Sequence, residues 1–253
     1  MKNMFLFSFI TLFSVAFLFS CNKDNSSPSS VTTIGARQAF GSDSIRSWVI
    51  TDASGTPTSV GVTFKAYALA GLPTTDTMYM LMLPTKSGMM SSMMAAPFDH
   101  VEIDWAPNGD PSPSVYNVAH LDCHFFTVTN TYQMGMMGGP DSGSLASQYV
   151  PMDCHADGDV EADMGAHWVD STAPEYHGMA FDHAYNYGFY HGNMTFIEAM
   201  CSKTFLDTKT NYTGVIKQPG AFKQSGYYPM NYTISYNATA KEYTYSLDNL
   251  KMH

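Results

Sequence analysis

His120-Leu-Asp-Cys-His-Phe-Phe-Thr-Val-Thr129 is the stretch whose reading decides the fold. Read as a helix, it would place His120 and His124 one turn apart on a single face. The run Phe-Phe-Thr-Val-Thr is strongly β-preferring, so the stretch reads as a strand. In an extended chain side chains alternate between faces. His120, Asp122 and His124 then share one face, with Leu121, Cys123 and Phe125 on the other. The preceding segment Phe98-Asp-His-Val-Glu-Ile-Asp-Trp105 repeats the pattern, with His100, Glu102 and Asp104 opposed to Val101, Ile103 and Trp105. A Pro/Gly-rich loop, Ala106 to Tyr116, separates the two segments. Paired, they would set a row of metal-ligand side chains on a rigid sheet.

Strand geometry limits how those side chains act together. Residues two apart lie about 7 Å apart at Cα, a gap that imidazole and carboxylate can close on one ion. Residues four apart lie about 13 Å apart, so His120 and His124 cannot share an ion unless the strand bulges. Asp122 is therefore the expected pivot, joined by one of these histidines. His100, Glu102, His167 or Glu198 would complete the site from other strands. The competing reading is a hydrogen-bonded polar layer with no ion.

Outward from these segments, most of the chain reads as strands. Val60, Val62, Phe64, Ala66, Ala68 and Ala70 alternate with polar or small residues, as in one long half-buried strand. Ser47 to Thr51 is its expected partner through the turn signal Ser54-Gly-Thr-Pro57. Thr77 to Leu83 is apolar on both faces, which predicts a strand covered on two sides with Met78, Met80 and Met82 filling core. Gly165 to Asp170, Phe181 to Tyr190 and Asn193 to Met200 follow, and Tyr228 to Tyr236 with Glu242 to Leu247 look like a closing pair. Helical signals are confined to Cys201–Asp207 and Ser142–Tyr149. The pattern predicts a mainly β chain, residues 31–253 forming a single antiparallel β-sandwich or barrel with few short helices.

Residues 1–20 read as a secretory signal peptide, with Lys2 before an apolar run from Phe5 to Phe19. Leu18-Phe-Ser-Cys21 resembles the lipobox of bacterial lipoproteins, which implies cleavage before Cys21 and its lipidation. Residues 21–30 are then a lipidated cysteine and a flexible polar tether. This predicts a lipid-anchored protein of the bacterial outer membrane, cell surface or periplasm, with the bilayer as partner through Cys21. Twelve Lys+Arg against 22 Asp+Glu give a formal net charge of −10, which excludes nucleic-acid binding and favours cations. The remaining cysteines, Cys123, Cys154 and Cys201, allow at most one disulfide. Cys123 is expected as a buried thiol, leaving Cys154–Cys201 as the expected pair.

Other constellations are weaker. Asp153, Asp157, Asp159, Glu161 and Asp163 alternate around Gly158 and suit Ca²⁺, though a solvated acidic loop is the plainer reading. Methionines at 89, 90, 93 and 94, and at 134, 136 and 137, suggest soft Cu(I) ligation. Methionine is abundant throughout, so zinc or iron ranks above copper. Phe181, His183, Tyr185, Tyr187, Phe189 and His191 line one face, ordinarily a sheet surface packing on its partner.

Phe98-Asp-His-Val-Glu-Ile-Asp-Trp-Ala-Pro-Asn-Gly109, Val115-Tyr-Asn-Val-Ala-His-Leu-Asp-Cys-His-Phe-Phe126, Met164-Gly-Ala-His-Trp-Val-Asp170 and Tyr187-Gly-Phe-Tyr-His-Gly-Asn-Met-Thr-Phe-Ile-Glu-Ala-Met200 occur in this order. Together they resemble a family of uncharacterised bacterial β domains named after a Thermus hypothetical protein, over roughly residues 75–207. The resemblance implies a β-rich fold and self-association, and groups His120, Asp122, His124, His167 and Glu198 as one constellation. Where the family often carries His and Glu after the loop glycine, this chain has Gly109-Asp110-Pro111, which implies one ligand fewer. Three functions compete. The first is a lipoprotein binding a divalent metal or small ligand. The second is a metal-dependent enzyme using non-haem iron or zinc. The third is a self-assembling surface protein, a homo-oligomer.

Overall fold

The computed structural model describes residues 30–84, 97–110, 114–141 and 143–253. The expectations of a signal peptide over residues 1–20, of lipidation at Cys21 and of a tether after it fall outside the described residues, as do the methionines at 89–94. In chain order the elements are β1 (Val31–Phe40), β2 (Asp43–Thr51), β3 (Pro57–Lys65), β4 (Thr77–Met82), β5 (His100–Ala106), β6 (His120–Phe126), the one-turn helix α1 (Asn130–Gln133), β7 (Cys154–Ala156) and β8 (Ala166–Asp170). They continue with β9 (His183–Tyr190), β10 (Asn193–Ser202), α2 (Lys203–Thr208), β11 (Tyr212–Val215), β12 (Tyr227–Tyr228), β13 (Asn231–Asn237), β14 (Glu242–Asp248) and β15 (Lys251–Met252).

Two antiparallel sheets face each other, one ordered β1-β2-β3-β14-β13-β11 and the other β4-β5-β6-β10-β9-β8-β7. The fold is a sandwich and does not close into a barrel. Its core lies between the sheets: Val60, Val62, Phe64, Tyr245 and Leu247 from the first meet Val101, Ile103, Leu121, Cys123, Phe125, Ile197 and Tyr187 from the second. These are the odd positions of β5 and β6, so period-two alternation sends their even positions to the opposite face of the second sheet. That outer face is also buried, although it carries His100, Glu102, His120, Asp122, His124 and Glu198. The sheet bearing the polar row is thus covered on both sides.

Local chemistry sets the turns. Asp52 accepts from the backbone N–H of Ser54 and Thr56, closing the β2–β3 hairpin where the sequence predicted a turn. His191 and Gly192, both at positive φ, make the tight β9–β10 hairpin. Thr129 caps α1 by accepting from the Tyr132 N–H, and Ser202 caps α2 by accepting from Phe205.

Several expectations are corrected. The strand through Val60 ends at Lys65, and Ala66–Gly71 winds into a 3₁₀ turn, since alanine has little β preference. β4 is the edge of its sheet, and Met78, Met80 and Met82 are exposed while Leu81 points inward. They do not fill core. β1 was not foreseen, because Val31–Phe40 shows no clean alternation and is mostly exposed. Among the described residues Cys123, Cys154 and Cys201 are all buried free thiols. The Cys154–Cys201 pair fails because β7 and β10 are separated by β8 and β9. Three strand spacings are about 14 Å, well beyond disulfide reach. No helix among the described residues is long and apolar enough to cross a membrane.

Candidate metal centre

Strand register brings the polar residues into rows. Glu102 on β5 lies opposite His124 on β6, which lies opposite Glu198 on β10, which lies opposite Asn186 on β9. His167 enters from β8 opposite Gly188. A side chain on Gly188 would collide with the Phe196 ring, so glycine lets that ring lie flat over β9. Phe196 in turn packs against both His124 and His167, with ring centroids 4.7 and 5.0 Å away. An apolar ring therefore holds the two imidazoles in place.

The ligand atoms gather in two groups. In the first, His124 Nε2 is 3.4 Å from Glu198 Oε1, and His167 Nε2 is 3.9 Å from Glu198 Oε2. In the second, His120 Nε2 lies 3.1 Å from Asp122 Oδ2 and 3.4 Å from Asp110 Oδ2. Ligands about 2.1 Å from a tetrahedral ion stand about 3.4 Å from one another, so both groups have the right scale. Each histidine also turns its far nitrogen toward an oxygen, and that of His120 is hydrogen-bonded to it. His124 Nδ1 faces Asp104 at 3.2 Å, His167 Nδ1 faces Glu161 at 3.7 Å, and His120 Nδ1 donates to the Val118 carbonyl at 2.6 Å. Metal-binding imidazoles are commonly oriented by such outer carboxylates and carbonyls. Asn186 Nδ2 donates to Glu198 Oε2 at 2.9 Å and fixes that carboxylate.

Electrostatics reinforce the geometry. A cavity of about 380 Å³ runs from exposed Asp76, Met78 and Glu161 to buried Asn186 and Glu198, past Asp110, Asp122, His124 and His167. No lysine or arginine among the described residues lines it. Burial pushes the Glu198 carboxyl up, opposed by His124, and pushes Asp122 up, opposed by His120. Burial works against the His124 and His120 imidazolium forms, but the adjoining carboxylates outweigh it and raise both. His167 goes the other way: burial and the neighbouring His124 hold its pKa low. Protons on two histidines are the nearest positive charge available to this acidic chamber. Among the described residues, seven of ten buried polar side-chain atoms without a hydrogen-bond partner belong here: Glu102 Oε1, Asp104 Oδ2, His120 Nε2, Asp122 Oδ1, both His124 nitrogens and Asn186 Oδ1. Orphaned buried groups are costly, so their concentration at one place calls for a ligand.

The structure brings together five of the seven residues singled out in the sequence, in a different grouping. His120 and His124 fall into separate groups, as the strand spacing required. Asp122 is not the pivot: His167 and Glu198 converge on His124, because β10 pairs with β6 while His167 reaches back from β8 past the side-chain-free Gly188 of β9. His100 and Glu102 join neither group. Gln133 of α1 inserts between them, accepting from His100 Nε2 at 2.7 Å and donating to Glu102 Oε2 at 2.9 Å, while Asp99 takes His100 Nδ1. Glu102 is raised to about 7, by burial first and by Asp104 next, which suits a buried hydrogen-bonded acid. Asp110, read in the sequence as a ligand lost, stands at the second group. Gly109 at φ 72 makes the turn that delivers it, where a side chain would strike the backbone of Asn117 and Val118. Of the acidic stretch from Asp153, only Asp157 and Glu161 line the cavity, and no three of its acids gather around one point. The aromatic face of β9 packs on the first sheet, with Tyr185 against Tyr232 and His183 stacked on Tyr212.

Fold and site together define an antiparallel β-sandwich with a buried histidine–carboxylate chamber on the outer face of one sheet. Residues 52–105 match the sequence model of a family described as TTHB210-like, hypothetical protein TTHB210, which bears out the resemblance noted in the sequence where the two overlap, over residues 75–105. The match ends at the close of β5, before His120, Asp122, His124, His167 and Glu198. No curated protein and no solved structure matches the chain.

Proposed function

We propose that this chain is an exported lipoprotein that holds a divalent cation between His124, His167 and Glu198. One observation carries the reading. Two histidines from different strands turn their Nε2 atoms to a single buried carboxylate, while outer acids lie 3.2 and 3.7 Å from their Nδ1 atoms. Two imidazoles and a carboxylate suit Zn²⁺ or Fe²⁺. Copper is less favoured: methionine is abundant throughout the chain, so the presence of Met78, Met164 and Met200 along the cavity weighs little toward a soft site. Attachment to a bacterial membrane through Cys21 rests on the lipobox-like leader. Metal analysis of the full chain, extracted in mild detergent, tests the cation. Zinc or iron should be present in stoichiometric amount and stabilise the fold. Chelator should lower Tm in the parent by more than it does in H167Q. A metal-free protein whose Tm ignores both Zn²⁺ and chelator would remove the ion.

A second reading, a metal-dependent enzyme, is favoured by the cavity itself. Three protein ligands leave a coordination position toward a chamber that reaches the surface, where a metal-bound water could be activated. The scarcity of positive charge in that chamber steers it toward neutral or cationic substrates. Hydrolysis of neutral ester substrates that persists in H124Q and E198Q would exclude this centre as its source.

A further inference from the structure

The second group is not absorbed by that reading. We propose that Asp110, His120 and Asp122 form a separate cation site in the same chamber, so that the protein takes two divalent ions side by side. Their ligand atoms all lie within 4.8 Å of one another, on a cluster independent of His124, His167 and Glu198. His120 is wholly buried and Asp122 nearly so, yet His120 Nε2 and Asp122 Oδ1 have no hydrogen-bond partner among the described residues. The imidazole cannot turn away, because Nδ1 is committed to Val118 O and the ring is packed edge-on against Phe181. It is held with one nitrogen aimed at two carboxylates.

Charge balance separates the two sites. Asp110 and Asp122 supply two negative charges, which neutralise one divalent ion without further help. At the first site Glu198 supplies one, with Asp104 and Glu161 behind the histidines. Two carboxylates and one imidazole make the second site the harder of the two, suited to Mn²⁺ as well as Zn²⁺. Asp122 and His124 project from the same face of β6 two residues apart, about 7 Å at Cα, so both ions would line one wall of the cavity. Asp110 is the outer ligand: its side chain is 45% exposed, and it sits on a loop, not on the sheet. The second site therefore fills from the open side of the chamber.

Zn²⁺ stoichiometry of the full chain tests this, measured after chelator treatment, reloading with Zn²⁺ alone and removal of unbound metal. The parent should retain two equivalents, D110N and H167Q one each, and the double variant none. Asp110 is exposed enough for D110N to fold, and an unchanged circular dichroism spectrum would confirm it. One equivalent in the parent that D110N leaves in place and H167Q abolishes would overturn the second site and spare the first. One equivalent lost in D110N and kept in H167Q would uphold the second site and overturn the first. Two equivalents undiminished by D110N would refute the assignment, and none in the parent would refute both sites.

Discussion

Gly188 is where the candidate centre is most exposed to a single change. Its missing side chain gives Phe196 the space from which that ring holds His124 and His167. In G188A the new methyl group must displace an aromatic ring in a close-packed layer, which typically costs about 1–3 kcal/mol. Chemical denaturation should show that loss, and Zn²⁺ titration should show weaker binding although no ligand has been altered. Normal affinity in a destabilised G188A would detach Phe196 from the site. Asp170 makes a contrasting prediction away from the chamber. Burial disfavours its carboxylate, but Lys217 at 2.9 Å and Thr172 hold its pKa below the usual range. A carboxylate depressed in the fold contributes stability above its unfolded pKa of about 3.9, and that stability is lost as pH falls through the folded value. D170N should therefore be less stable than the parent at pH 7, by about 1–2 kcal/mol for a charge-assisted bond that is partly solvated. The two melting temperatures should converge below about pH 3. A gap that stays constant with pH would mean that packing, not charge, is the cause.

At the scale of elements, β5 and β6 were legible because alternation is a local property. His120, Asp122 and His124 had to share a face once Phe125 and Phe126 fixed the stretch as a strand. Which strands would flank β6 was not legible. β10 follows it by some seventy residues and still pairs with it, so Glu198 meets His124 through topology that no local pattern carries. Asp110 was misread for a related reason, since its role depends on where a loop lands after Gly109. Ala66–Gly71 was misread because alternating alanines imitate a strand that the backbone does not keep. The turn α1 was also invisible as part of the site, and it makes the clearest test at this scale. Gln133 bridges His100 and Glu102, both buried. Q133A would strand two buried polar groups, at about 1–3 kcal/mol each. Thermal melts should fall markedly while Zn²⁺ stoichiometry stays as in the parent. Loss of metal in Q133A would instead return Glu102 or His100 to the ligand set.

At the scale of the molecule, the sandwich divides its labour between two buried layers. The layer between the sheets is apolar and aromatic, with three thiols that need no disulfide to hold it. The layer outside the second sheet is acidic and histidine-rich, and most of the buried polar side-chain atoms without a partner among the described residues lie in it. A protein with this net charge and few cationic side chains gathers its carboxylates at a cost unless something positive joins them. The central claim is that a metal ion does so between His124, His167 and Glu198. Crystals of the full chain grown with Zn²⁺, measured on both sides of the zinc absorption edge, test it most directly. The account predicts an anomalous peak about 2.0–2.2 Å from both Nε2 atoms and from a Glu198 oxygen. A map that leaves that point empty, with Zn²⁺ present in the crystal, would contradict it.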